Sequence, residues 1–178
     1  MKEIKDFVEQ FNANIPLDES RIVRNRNRYY MLSKKLKQQV PKDFFYAGVY
    51  LGAVKGDSFF PSFLLLSMLA KTNANNLVIN RKTAWLFICG RDIFKKGIVK
   101  GNKLKKGDYT LIFNERNECL GFGQITCNLR KEVDANKVVV KNILDIGNFL
   151  RREKKKTKQK FSRNLLGGSS KARKPTRK

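Results

Sequence analysis

From residue 76 onward the sequence is cut into short apolar runs by glycines and polar turns, and this spacing constrains the fold more than any other feature. LVIN, AWLFI, DYTLIF, CLGFGQIT and VVVKNI read as short strands, with GRDIFKKG a brief helical turn bounded by glycines and NERNE a polar turn. Strands this short and closely spaced, with one helical turn near the start, predict a compact mixed barrel and no parallel sheet. Gly121 and Gly123 of LGFG mark places where a strand bends sharply or another backbone comes close. Gly90, Gly97, Gly101 and Gly107 fall at the turns. The dense lysines of CGRDIFKKGIVKGNKLKKGD are therefore expected on a folded platform, not in a solvated loop.

The first 75 residues have a different character. Ile4, Phe7, Val8 and Phe11 share one face of a helix. RIVRNRNRYYML predicts two short strands joined by a tight turn with asparagine at positive φ, and Arg21, Arg24, Arg26 and Arg28 crowd that turn. A charged hairpin tip is ordinarily just solvated. A short helix is expected around Ser33 to Gln39, and FFYAGVYLGAV reads as a bent strand. Pro61 is expected to open a helix, PSFLLLSMLAKT, where its missing N–H costs nothing. The asparagines of NANNLVIN mark a linker. The predicted class is α+β: a small N-terminal α/β domain (1–75), a β pseudo-barrel (76–156) and a basic tail (157–178).

Charge narrows the partner. The chain has 39 Lys+Arg against 15 Asp+Glu, a net charge of +24, which is far more than solubility needs and predicts a polyanion, nucleic acid first. Residues 151–178 hold 13 basic residues and 1 acidic one, half of the net charge, with too little apolar content to order themselves without a partner. No membrane contact is expected, because the most apolar run, FFPSFLLLSMLA, falls well short of the roughly 20 residues a spanning helix needs. The N-terminal MKEIKDFVEQF carries acids and helical periodicity, so secretion is not indicated. Cys89, Cys119 and Cys127 lack a C-x-x-C pair, sit among apolar residues and read as reduced core thiols. The sequence contains no histidine, which removes the usual general base, the commonest zinc ligand and the Ser-His and Cys-His nucleophile pairs. No enzyme activity, cofactor or metal is expected.

The succession of a strand, GRDIFKKGI, KKGD, a strand, LGFG, VVV and DIGNFLRRE resembles the PUA domain, the RNA-binding pseudo-barrel of pseudouridine synthases and archaeosine transglycosylases. DIGNFLRRE with LGFG is more closely similar to the large-ribosomal-subunit biogenesis factors called nuclear import protein seven. YYMLSKKL and GVYLGAVKGDSFFPS resemble that family's N-terminal domain. The resemblance covers roughly residues 15 to 155, and the basic tail has no counterpart in it. It implies a non-enzymatic factor that binds precursor ribosomal RNA through the PUA domain during large-subunit assembly. Carried onto this sequence, the contacts are Arg151 and Arg152 of LRRE with Lys155 and Lys158 just beyond, and Lys95 and Lys96 on the helical turn. Lys103, Lys105 and Lys106 join them on charge alone. Other assembly factors or ribosomal proteins are expected on the N-terminal domain.

The residues support this expectation by themselves. Phosphate rewards Lys and Arg through counterion release, and unpaired bases are read by aromatic or guanidinium stacking. Arg151 and Arg152 beside Phe149 offer both, although Phe149 also suits a barrel core. A pseudouridine synthase needs a catalytic aspartate in a large additional domain, for which 75 residues are too few. The competing reading is a constitutive large-subunit protein that threads its tail into ribosomal RNA. The short N-terminal region and lysine-rich barrel point to the cytoplasm of an archaeon; in a eukaryote the tail would serve nuclear import and the setting would be nucleolar.

Overall fold

Ile4, Phe7 and Val8 are buried along helix α1 (Lys2–Glu9), as their spacing predicts, and Phe11 follows them into the core. The computed structural model describes residues 1–101, 104–148 and 151, and the chain divides into two units, Met1–Ile146 and Gly147–Lys178. In the second unit the described residues Gly147, Asn148 and Arg151 are helical. Arg152, Lys155, Lys158, Lys103 and Phe149 lie outside the described residues.

The first unit holds two sheets. The N-terminal sheet is antiparallel, in the order β1 (Ile22–Asn25), β2 (Arg28–Met31), β3 (Val49–Lys55) and β4 (Ser58–Pro61). The expected hairpin pairs Asn25 with Arg28, and its positive φ, +55°, falls on Arg26 and not on an asparagine. Helix α2 (Lys34–Gln39) follows, capped by Ser33. The strand expected from Phe44 starts only at Val49, after Gly48 (φ +63°) has turned the chain. Pro61 ends edge strand β4, where its missing N–H faces no partner strand, and does not open a helix. Helix α3 (Phe63–Leu69) begins after it, because the Ser62 side chain accepts from the Leu65 N–H.

The second sheet runs β6-β10-β9-β8-β5-β7. Its strands are β5 (Asn76–Ile79), β6 (Ile93–Phe94), β7 (Ile98–Gly101), β8 (Tyr109–Asn114), β9 (Cys119–Ile125) and β10 (Val138–Asp145). Edge strands β6 and β7 are joined only by a 3-10 turn, Lys95–Gly97. So short a link reaches roughly 10–14 Å when extended, so the sheet must curl until its edges approach. Pairing is antiparallel except between β5 and β8, which run parallel against expectation; the long crossover between them makes this possible.

AWLFI is not a strand. It lies in helix α4 (Arg81–Ile88), started by Asn80, whose side chain accepts from the Thr83 N–H at 2.9 Å. Ala84 and Phe87, one helical turn apart, face inward.

The curled sheet is covered on both faces. Neighbouring residues of β8 point opposite ways, so Leu111 joins the core of α1, α3 and the N-terminal sheet while Ile112 joins Phe87 and Ile79 beneath α4. Phe122 of β9 meets Phe7 and Phe11, each at 5.5 Å between ring centres. The asparagine segment is therefore a buried junction rather than a linker: the Asn75 N–H donates to the Phe11 carbonyl at 2.8 Å, and its side chain to the Tyr109 carbonyl. Gly121, at φ +145°, runs so close to β10 that a Cβ would stand 2.0 Å from the Leu144 carbonyl oxygen. Of the cysteines, Cys119 and Cys127 are half-buried, whereas Cys89 is exposed just past α4 and is no core thiol.

Candidate nucleic-acid interface

Lys95 and Lys96 sit on the turn that closes the curled sheet. Their amides donate to the carbonyls of Lys137 (2.9 Å) and Ala135 (3.0 Å), and the Gly97 carbonyl accepts from the Asn80 N–H at 3.0 Å. A Cβ on Gly97 would lie 2.4 Å from Thr83 Oγ1, so only glycine lets this turn settle against the first turn of α4. The Lys96 ammonium donates to Asn136 Oδ1 at 2.9 Å and lies 6.0 Å from the centre of the Phe94 ring. Lys95 is half-buried, and its ammonium has no partner among the described residues.

The Thr83–Gly97 contact brings the start of α4 beside this turn. The outward residues of α4 include Arg81, Lys82, Trp85 and Leu86. Trp85 is 68% exposed, and it follows Lys82 by three residues and Arg81 by four, so both cations share its face of the helix. An open indole beside two cations is chemically suited to base stacking and phosphate pairing. Sequence reasoning missed Trp85 because AWLFI reads as a strand; the signal lay in the Asn80-x-x-Thr83 cap and the three-residue spacing of Ala84 and Phe87.

Lys105 and Lys106, both exposed, occupy a different connection, between β7 and β8. The Lys105 N–H donates to Asp108 Oδ2 at 2.8 Å, Gly107 takes φ +97°, and its N–H donates to the Ile125 carbonyl at 2.8 Å. This turn is thereby tied to the end of β9. It borders an open cleft of about 810 Å³ shared with Gln10, Asn75, Tyr109 and Arg130. The two lysine pairs are thus anchored at different places, one on the segment that leads into β10 and the other at the end of β9. Arg151 is half-buried and helical in the second unit.

Among the described residues, no group of three Cys, Asp or Glu could hold a metal ion, and no helix is long and apolar enough to cross a membrane. The Asn142 side chain fastens the end of α4 to β10, donating to the carbonyls of Phe87 (2.8 Å) and Arg91 (3.4 Å) and to Asp145 Oδ2 (3.2 Å). The basic rim therefore rests on a braced scaffold.

Residues 75–154 match the family described as the UPF0113 PUA domain. A UPF0113 protein of Archaeoglobus fulgidus is 29% identical over 111 residues, which are 61% of this chain and 63% of that protein. A conserved PUA domain protein from Thermoplasma acidophilum superposes with a TM-score of 0.55 at 15% identity, over 85% of this chain and 92% of its own. A PUA domain from Aeropyrum pernix K1, solved as a tartrate complex, gives 0.52 at 13% identity over 82% and 83%. The segment whose strands curl around Lys95–Gly97 is a PUA domain, carried beside an N-terminal layer of sheet and helices.

Proposed function

We propose that this protein is a non-enzymatic RNA-binding factor that uses its PUA domain to hold precursor ribosomal RNA while the large subunit assembles, in an archaeal cytoplasm. The observation that carries RNA binding is Trp85, 68% exposed on a PUA domain and flanked by Arg81 and Lys82, in a chain of net charge +24. Unpaired bases need a stacking platform and phosphates need cations, and α4 with the 95–97 turn presents both. The assembly role is supported by the likeness of DIGNFLRRE and LGFG to the biogenesis family.

Trp85 is the only tryptophan, so its fluorescence reports directly on the site. Single-stranded RNA is expected to quench it saturably and salt-dependently, while nucleotide hydrolysis stays absent. Quenching that fails although RNA binds would remove Trp85 from the interface. In gradients of native ribosomal particles, the protein is expected with large-subunit precursors and absent from mature subunits after a high-salt wash. The segment 151–178, with its 13 basic residues, favours one second reading, a constitutive ribosomal protein, and retention on mature subunits would establish it.

A further inference from the structure

The N-terminal sheet carries an aromatic and arginine surface that the PUA reading leaves unused. Two of the hairpin arginines serve the fold. Arg21 Nε donates to the Leu32 carbonyl at 3.0 Å, and Arg24 meets Glu3 Oε1 at 3.3 Å and stacks over Tyr29 at 5.6 Å. The side chains of Arg26 and Arg28, at the exposed tip, have no partner among the described residues.

Beside them the chain holds out two rings. Phe45 is 87% exposed and Tyr46 61%, yet their backbone is fixed. The Asn25 side-chain amide donates to the Phe44 carbonyl, the buried Tyr30 hydroxyl donates to the Phe45 carbonyl at 3.4 Å, and the Tyr30 ring packs edge-on against Phe44 (5.2 Å) and Tyr46 (5.4 Å). A single exposed ring is unremarkable. Here the first of two adjacent exposed rings, Phe45, lines a cavity of about 250 Å³ together with Asn25, Arg26, Asn27, Arg28 and Asp43. Asn25 and Asn27 each donate a side-chain N–H, to the carbonyls of Phe44 and Val54, which orients their amides, and their oxygens are acceptors. With Asp43 they offer hydrogen-bond acceptors to the amino and imino donors on the edge of a base.

We propose that this surface is a second binding site for single-stranded RNA: Phe45 and Tyr46 stack bases, Arg26 and Arg28 take the phosphates, and the asparagine oxygens meet a base edge. The inference rests on the RNA-binding reading and extends it to the N-terminal sheet. An apolar protein partner would find the Phe45 ring sharing one cavity with two guanidiniums that have no ion-pair partner among the described residues, whereas for RNA that combination is what stacking and charge neutralisation require.

The test uses the full chain and a single-stranded RNA of about 16 nucleotides carrying 4-thiouridine. Crosslinks are expected in the peptide holding Phe44 to Tyr46 as well as in the PUA domain. Phe45→Ala, at a side chain too exposed to support the fold, is expected to weaken binding about tenfold, and Phe45→Tyr to restore it. Arg28→Ala is expected to lower the salt slope by about one unit or less. Crosslinks confined to residues 75–178, with wild-type affinity for Phe45→Ala, would overturn this site and leave the PUA reading standing; that is also the result if the surface docks a protein. If the wild-type chain binds no RNA, both readings fall together.

Discussion

At residue scale, Glu3 shows how one carboxylate ties helix to sheet. Its own backbone N–H and the Tyr29 hydroxyl, which donates at 2.9 Å, hold its pKa down at about 2 from an ordinary 4.5. A depressed carboxylate contributes stability above its unfolded pKa and loses it as pH falls through the folded one. The contribution of Glu3 should therefore be full near neutral pH and fade between about 4.5 and about 2. Thermal melts of wild type and Glu3→Gln should differ at neutral pH and converge across that window. A difference that stays constant with pH would show that the carboxylate is not held by these donors. Some residues of this kind were legible and others were not. Gly121 and Gly123 announced close backbone approach, and Gly123 does abut the Lys141 carbonyl, since strand glycines have few other uses. The exposure of Cys89 was hidden, because it follows from the face of a helix that reads as a strand.

At the scale of elements, α4 decides where Arg81, Lys82 and Trp85 stand. AWLFI has the aromatic and β-branched content of a strand, but a run of five leaves periodicity ambiguous, and the Asn80 cap settles it. Asn80→Ala should therefore cost about 1 kcal/mol, and Asn80→Ser much less. Urea unfolding is the measure: a lower midpoint with an unchanged slope is expected for Asn80→Ala. No loss of stability would mean that packing of Phe87 alone fixes the helix. The same reasoning explains Pro61, which suits both a first helical turn and an edge strand. Choosing between them requires knowing that β4 has no neighbour on its outer side. Helix α1 was readable because Ile4, Phe7 and Val8, with Phe11 just beyond it, keep one face over two turns, and β8, β9 and β10 because their turns are marked by glycine and asparagine.

At the scale of the whole molecule, the sequence separates grip from selection. The first unit presents cations on braced turns and a capped helix, and residues 160–178 carry seven basic residues and no acidic one. Charge by itself senses phosphate, which every RNA has, whereas a ring held on a helix is suited to sense bases. Deleting residues 160–178 should therefore weaken binding to a large-subunit RNA fragment and to an unrelated RNA equally. The salt slope should flatten by about 0.7 for each phosphate that is no longer neutralised. Preference between the two RNAs should survive. Trp85→Ala, at a side chain too exposed to support the core, should do the reverse: leave the salt slope nearly unchanged and reduce the preference. Paired salt titrations of both variants on both RNAs decide the matter. If the deletion erases discrimination and Trp85→Ala preserves it, the tail is the part that reads RNA, and the PUA domain is its anchor.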